Sequence, residues 1–188
     1  FSRSHGLRYC ALRYFNAAGA SDIGDIGEDH DPETHVIPLA LRQVLRKEFV
    51  EAPEALFTVL GGDYNTPDGT CIRDYIHVED IARAHCQAIE YLGKGSKSVA
   101  INLANEKGTS VLEILQTCEE VTGHEIQYNI GPRRPGDPDE LVGSAAKARD
   151  VLDWMPEASD VRNVIETAWK WHKTHPDGYT LVNDRKKE

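Results

Sequence analysis

The sequence predicts an α/β fold with parallel strand pairing, and three observations carry the prediction. Strand-like and helix-like hydrophobic periods alternate along the chain, the order that parallel strands joined by crossover helices require. Ser110-Val111-Leu112-Glu113 has the spacing of a helix capping box, which fixes one helix start. The chain opens on what reads as the last turn of a helix, followed at once by a central-type strand. A doubly wound sheet rarely begins there, so the sequence reads as the second half of a larger domain.

The elements follow in order. Leu7 to Phe15 reads as a strand ending at Asn16-Ala17-Ala18-Gly19, and a polar loop rich in Gly and Asp covers Ser21 to Thr34. Val36 to Lys47 reads as an amphipathic helix, with Pro38 near its start, where proline is tolerated. Leu56 to Leu60 is a short strand. After the Gly-rich turn from Gly61 to Asp68, the alternation of Cys71, Ile72, Tyr75 and Ile76 leads into a helix over Glu79 to Leu92. Ser98 to Leu103 is an apolar strand. Val111 to Val121 is helical, Gly123 stops it, and Glu125 to Ile130 alternates as a strand. Ser144 to Leu152 and Val161 to Thr174 are the last helices. In the second, Val164, Ile165, Ala168, Trp169, Trp171 and His172 read as a packing stripe rather than a ligand site.

Composition narrows the function. A chain of 188 residues, 40% hydrophobic and 28% charged, is long enough for one domain with its own core. A net charge of −10 does not suit nucleic acid or an anionic membrane as a partner. Cys10, Cys71, Cys86 and Cys118 are scattered without a C-x-x-C pair, which argues against redox or metal use and fits a reducing, cytoplasmic location. His30 and His35 lie near Asp29, Asp31 and Glu33, but no helical H-x-x-x-H spacing supports a metal site there, and none is expected. No apolar run approaches the roughly 20 residues of a membrane span, and the first residues lack the apolar core of a signal peptide.

Four segments could carry chemistry. Asn16 sits at the carboxyl end of a strand, where ligands of open α/β sheets bind, although an Asn that merely turns the chain fits as well. Thr34-His35-Val36-Ile37-Pro38 opens a helix, and helix N-termini present free N–H groups to anions. Arg73, between a turn and a strand, is either an anion-binding group or half of a surface pair with Asp74. Gly131-Pro132-Arg133-Arg134-Pro135-Gly136-Asp137-Pro138 is a loop stiffened by three prolines that presents two guanidinium groups, which can bond phosphate bidentately.

The string from Gly69 to Asp80, GTCIRDYIHVED, closely resembles the GT-(C/G)-(I/V)-RDYIHV-x-D motif of UDP-glucose 4-epimerases, extended short-chain dehydrogenases that act on nucleotide-sugars. Leu12 to Gly19 resembles the RYFN-x-x-G segment of that family, and Pro132 to Asp137 resembles its P-R-R-x-G-D. The resemblance runs from about Leu7 to about Tyr179 and is to the C-terminal half of the family. It implies the C-terminal part of a Rossmann-like NAD(P)-binding fold with the smaller α/β substrate-binding domain. Strands within 1–20 and 98–104 would belong to the truncated sheet, 21–97 and 105–180 mainly to the UDP-sugar-binding domain, and 181–188 to a polar tail.

The resemblance also implies roles. Tyr14 and Phe15 would approach the nicotinamide of NAD, and Asn16 the diphosphate region of a UDP-sugar. His35 and Val36 would lie against the UDP, and Thr58, Val59 and Leu60 along the uracil, with Leu60 standing where many members carry an aromatic. Arg73 and Arg134 would meet the diphosphate, Asp137 the ribose, and Leu141 the sugar's C2 substituent. Family members oxidise C4 of the bound sugar with tightly held NAD, let the 4-keto sugar turn over and return hydride to its other face. The parts that bind NAD and supply the base have no counterpart in the sequence. There is no G-x-x-G-x-x-G, and none of the 7 tyrosines has a Lys four residues later.

The expected function is therefore UDP-hexose 4-epimerisation, with this chain contributing the nucleotide-sugar half and a missing N-terminal half or complementary subunit completing it. The alternatives are a non-catalytic nucleotide-sugar-binding fragment, or an epimerase of UDP-N-acetylhexosamines or UDP-pentoses. Apolar strands without their neighbours are expected to drive self-association.

Overall fold

The computed structural model describes residues 1–49 and 56–179. The polar tail expected over 181–188 lies outside them. The elements are α1 (Ser2–His5), β1 (Cys10–Tyr14), β2 (Asn16–Ala18), α2 (Val36–Phe49), β3 (Phe57–Leu60), β4 (Ile72–His77), α3 (Val78–Gly93), β5 (Val99–Leu103), β6 (Gly108–Ser110), α4 (Val111–Thr122), β7 (Tyr128–Gly131), β8 (Glu140–Leu141), α5 (Ala146–Leu152) and α6 (Val161–Thr174). The fold is α/β with mainly parallel pairing, as the alternation of periods predicts.

The sheet is divided. β1 pairs in parallel with β5, Cys10 opposite Val99 and Tyr14 opposite Leu103. β2 pairs in parallel with β4, which also takes β6 antiparallel and β8 parallel. β3 pairs in parallel with β7. The strand predicted from Leu7 to Phe15 is β1, Cys10–Tyr14, and beyond its predicted end a second strand, β2, forms as the chain passes at Phe15 from the β5 edge to the β4 edge. β6 and β8, at three and two residues, are too short to leave a period in the sequence.

Helix starts follow from side-chain caps. Ser110 and Glu113 form the predicted capping box: Ser110 Oγ accepts from Glu113 N at 3.1 Å, and Glu113 Oε2 accepts from Ser110 N at 2.7 Å. Gly123 ends α4 with φ 75°, a left-handed backbone that a side chain would strain. His77 caps α3 by accepting from Glu79 N, and Asp160 caps α6 by accepting from Arg162 N.

Two apolar clusters hold the structure. One joins α2, α4 and α6 through Leu41, Val44, Ile114, Cys118, Val164 and Ile165. The other packs α3 and α5 on β5 and β4 through Ile76, Ala84, Ile101, Leu103, Ala148 and Trp154. Helix α3 packs on β1, β2, β4 and α5. The stripe on α6 is core: Val164, Ile165, Ala168, Trp171 and His172 are buried.

Candidate functional site

A cavity of about 440 Å³ opens at the carboxyl end of β1, along β3 and beside the start of α2. Among the residues singled out from sequence, Tyr14, Phe15, Asn16, His35, Val36, Thr58, Val59, Leu60, Arg73 and Arg134 all line it. Asp137 and Leu141 do not. Asp137 sits behind the two arginines, and Leu141 lies on β8 opposite Arg73, 46% exposed.

Arg73 is buried, and its guanidinium is fixed on three sides. Nη1 donates to Ile72 O at 2.6 Å, while Nη2 donates to Asp137 Oδ1 at 2.5 Å and to Pro138 O at 2.9 Å. Arg134 reaches the other oxygen of the same carboxylate, Nη2 donating to Asp137 Oδ2 at 2.9 Å. Burial raises the Asp137 carboxyl, but the hydrogen bonds and charges of Arg134 and Arg73 outweigh it and hold the group below its ordinary range. One anion thereby orients two cations at the cavity wall. The second loop arginine is spent elsewhere: Arg133 Nε donates to Asp63 Oδ1 at 2.6 Å, and its guanidinium lies 4.0 Å from the centre of the Tyr64 ring.

Arg73 and Asp74 are not a surface pair. The Asp74 carboxylate is fully buried and accepts three backbone N–H groups, from Asn105 at 2.9 Å, Glu106 at 3.1 Å and Gly143 at 3.1 Å. Burial still leaves its carboxyl raised. Asp74 thus ties β4 to the β5–β6 turn and to the segment after β8. Its own carbonyl accepts from Asn16 Nδ2 at 3.1 Å, which fixes the Asn16 carboxamide at the cavity edge.

The Gly-rich turn before β4 is clamped to α4. Asp68 Oδ1 accepts from Thr70 N and Thr70 Oγ1, both at 2.8 Å, and Asp68 Oδ2 accepts from Ser110 Oγ. The turn therefore enters β4 at a fixed angle and delivers Arg73 to the cavity.

The start of α2 differs from its reading as a free anion cradle. The N–H groups of Thr34 and His35 both donate to Glu33 Oε1, at 2.7 and 2.8 Å. The loop closes on its own carboxylate. His35 still lines the cavity, and with it come Glu28, which the sequence reading does not single out, and His30, which it weighs only as a metal ligand. Their signal is the spacing Glu28-x-His30-x-x-Glu33-x-His35, which lacks helical periodicity because it lies on a loop.

Comparison with known proteins identifies the frame of this site. The pattern described as "NAD dependent epimerase/dehydratase family" matches residues 1–104. The chain belongs to that family. This epimerase/dehydratase chain is 51% identical over 177 residues to UDP-glucose 4-epimerase of Lactobacillus helveticus, a match covering 94% of this chain and 52% of the relative. It spans about half the length of the curated relatives it matches. A crystal structure of a UDP-glucose 4-epimerase superposes with a TM-score of 0.89 at 49% identity, covering 96% of this chain and 53% of the other. The UDP-glucose 4-epimerase of Bifidobacterium longum in complex with NAD+ and UDP superposes with a TM-score of 0.84 at 34% identity, covering 94% and 51%. The epimerase/dehydratase chain thus has the NAD-binding, Rossmann-like fold, and no described helix is long and apolar enough to cross a membrane.

Proposed function

We propose that the chain is the C-terminal, nucleotide-sugar-binding half of a UDP-hexose 4-epimerase that interconverts UDP-glucose and UDP-galactose. The observation that carries this reading is the convergence of Arg73 and Arg134 on Asp137 beside a cavity edged by Thr58, Val59 and Leu60. Two guanidinium groups facing one cavity match the charge and the bidentate geometry of a diphosphate. Their orientation is set before the ligand arrives, which reduces the ordering cost of binding.

In this reading Arg73 and Arg134 hold the diphosphate, and Asp137, with both carboxylate oxygens on the arginines, orients the pair from behind. Thr58, Val59 and Leu60 edge the uracil, His35 and Val36 close over the UDP, and Asn16 contacts the diphosphate region. The buried Asp74 holds the backbone around the site rather than touching substrate.

NAD, when bound, supplies the hydride acceptor and donor for C4 of the sugar. The residues present fit only its nicotinamide end: Tyr14 is 48% exposed at the end of β1, and Phe15 lines the cavity. The ring of Phe15 packs so closely on Gly143 that a Cβ there would come within 2.2 Å of it. The dinucleotide loop and the Tyr-x-x-x-Lys base would come from the N-terminal half.

UDP-galactose turnover tests the division of labour. The purified chain with added NAD should show none, and co-expression with an N-terminal half carrying both missing motifs should restore it. Robust turnover by the chain alone contradicts the assignment.

A further inference from the structure

We propose that Glu28, His30, Glu33 and His35 form a divalent transition-metal site at the wall of the cavity. One ligand atom from each of the four residues lies within 4.8 Å of all the others. Both imidazoles present Nδ1 to the same oxygen, Glu28 Oε1, from His30 at 3.0 Å and from His35 at 2.9 Å. His35 Nδ1 is also 2.9 Å from Glu33 Oε1, and His30 Nδ1 is 3.9 Å from Glu33 Oε2. Ligands about 2.0–2.1 Å from a tetrahedral zinc ion stand about 3.3 Å apart. The observed separations fall on both sides of that value.

Separations near 3 Å also fit simple hydrogen bonds between histidine and carboxylate. Glu33 distinguishes the two arrangements. Its side chain is 2% exposed, and Oε1 is filled by the N–H groups of Thr34 and His35 and by the His35 ring. Oε2 is buried and accepts no hydrogen bond. Two nitrogens that face it, His30 Nδ1 at 3.9 Å and Arg42 Nη2 at 4.0 Å, stand beyond hydrogen-bond reach. A buried carboxylate whose one oxygen is held by two backbone amides, with the other left without a donor, has a coordination position open to an ion. The amides act as outer supports that orient a ligating carboxylate.

The donor set selects the metal class. Two imidazole nitrogens with two carboxylates suit zinc or its neighbours rather than calcium or magnesium, which take oxygen alone. Two neutral imidazoles and two carboxylates carry a charge of −2, which a divalent ion cancels. The ion would pin the loop before α2 to the helix start at the side of the cavity. The proposal does not depend on UDP-sugar binding, because the site is complete without nucleotide.

The test is calorimetric titration of ZnCl2 into the chain, made without a polyhistidine tag, stripped with chelator and free of nucleotide. One saturable site per chain is expected, weakened at least tenfold in both His30→Ala and Glu33→Gln. Binding that is absent, or equally tight in the wild type and both variants, overturns the proposal. His30 is 53% exposed, so its variant remains folded and decides the matter if Glu33→Gln is unfolded by circular dichroism. Co(II) gives a second readout on the unaltered chain. The intense visible bands of a tetrahedral ion support the site, and the pale spectrum of a six-coordinate ion overturns it.

Discussion

Arg73 Nη2 donates to Asp137 Oδ1 at 2.5 Å, joining positions 64 residues apart in the chain. This bond connects the β4 motif to the proline-stiffened loop, and with Arg134 on the other oxygen it gives the cavity its paired guanidinium groups. Removing Arg134 should therefore weaken UDP binding by about 1.5–3 kcal/mol, the cost of a charge-assisted hydrogen bond. Asp137→Asn should weaken it as well, because both guanidinium groups lose their common anchor. Calorimetry with UDP checks both variants, and unchanged affinity in Arg134→Ala would remove that residue from the site.

Asp74→Ala should destabilise the fold by at least about 3 kcal/mol. The substitution strands three part-buried N–H groups, each costing on the order of 1–3 kcal/mol when left unpaired. The fall should show as a lower urea midpoint. A shift under about 1 kcal/mol would mean that water replaces the carboxylate.

Stability should fall as the solution becomes acidic below neutrality. Burial, with Arg42 adding to it, pushes the His172 imidazole down to about 4, and burial lowers His77 as well. Both rings stay neutral in the fold while the same groups in the unfolded chain take up protons near pH 6.5. The unfolded state then binds more protons, so stability is lost as pH drops from about 6.5 toward about 4. His172 should contribute on the order of 3 kcal/mol of that loss. Urea midpoints at pH 7 and pH 4.5, with chelator present, measure it, and equal midpoints contradict it.

The chain should associate with itself. Among the described residues β1 pairs only with β5, and Leu7, Tyr9 and Tyr14 around it are 58%, 51% and 48% exposed. An unpaired strand edge beside exposed apolar side chains is a template for pairing. Light scattering should give a mass above that of the monomer that rises with concentration. A constant monomer mass across a wide range contradicts this expectation.

Legibility in the sequence varied with the range of the interaction. The capping box at Ser110, the stop at Gly123 and the α6 stripe are local patterns, and each has its structural counterpart where the sequence places it. The grouping of Arg73 with Arg134 depended on motif resemblance, since no period links a strand to a loop 60 residues away. The sequence leaves open whether Arg73 pairs with Asp74 at the surface, because the three partners of Asp74 are backbone amides, which have no residue type to recognise. The sequence reading weighs His30 and His35 with Asp29, Asp31 and Glu33 and expects no metal there for want of helical spacing, while the four side chains that converge include Glu28. A loop can gather side chains at any spacing, so helical spacing alone does not report such a convergence.

The most direct measurement is calorimetry of the unaltered chain with UDP, UDP-glucose and NAD in parallel. Saturable binding of UDP and UDP-glucose, with little or no heat from NAD, is the predicted result. Tight NAD binding with no response to UDP would contradict the central claim that Arg73, Arg134 and Asp137 build a nucleotide-sugar site.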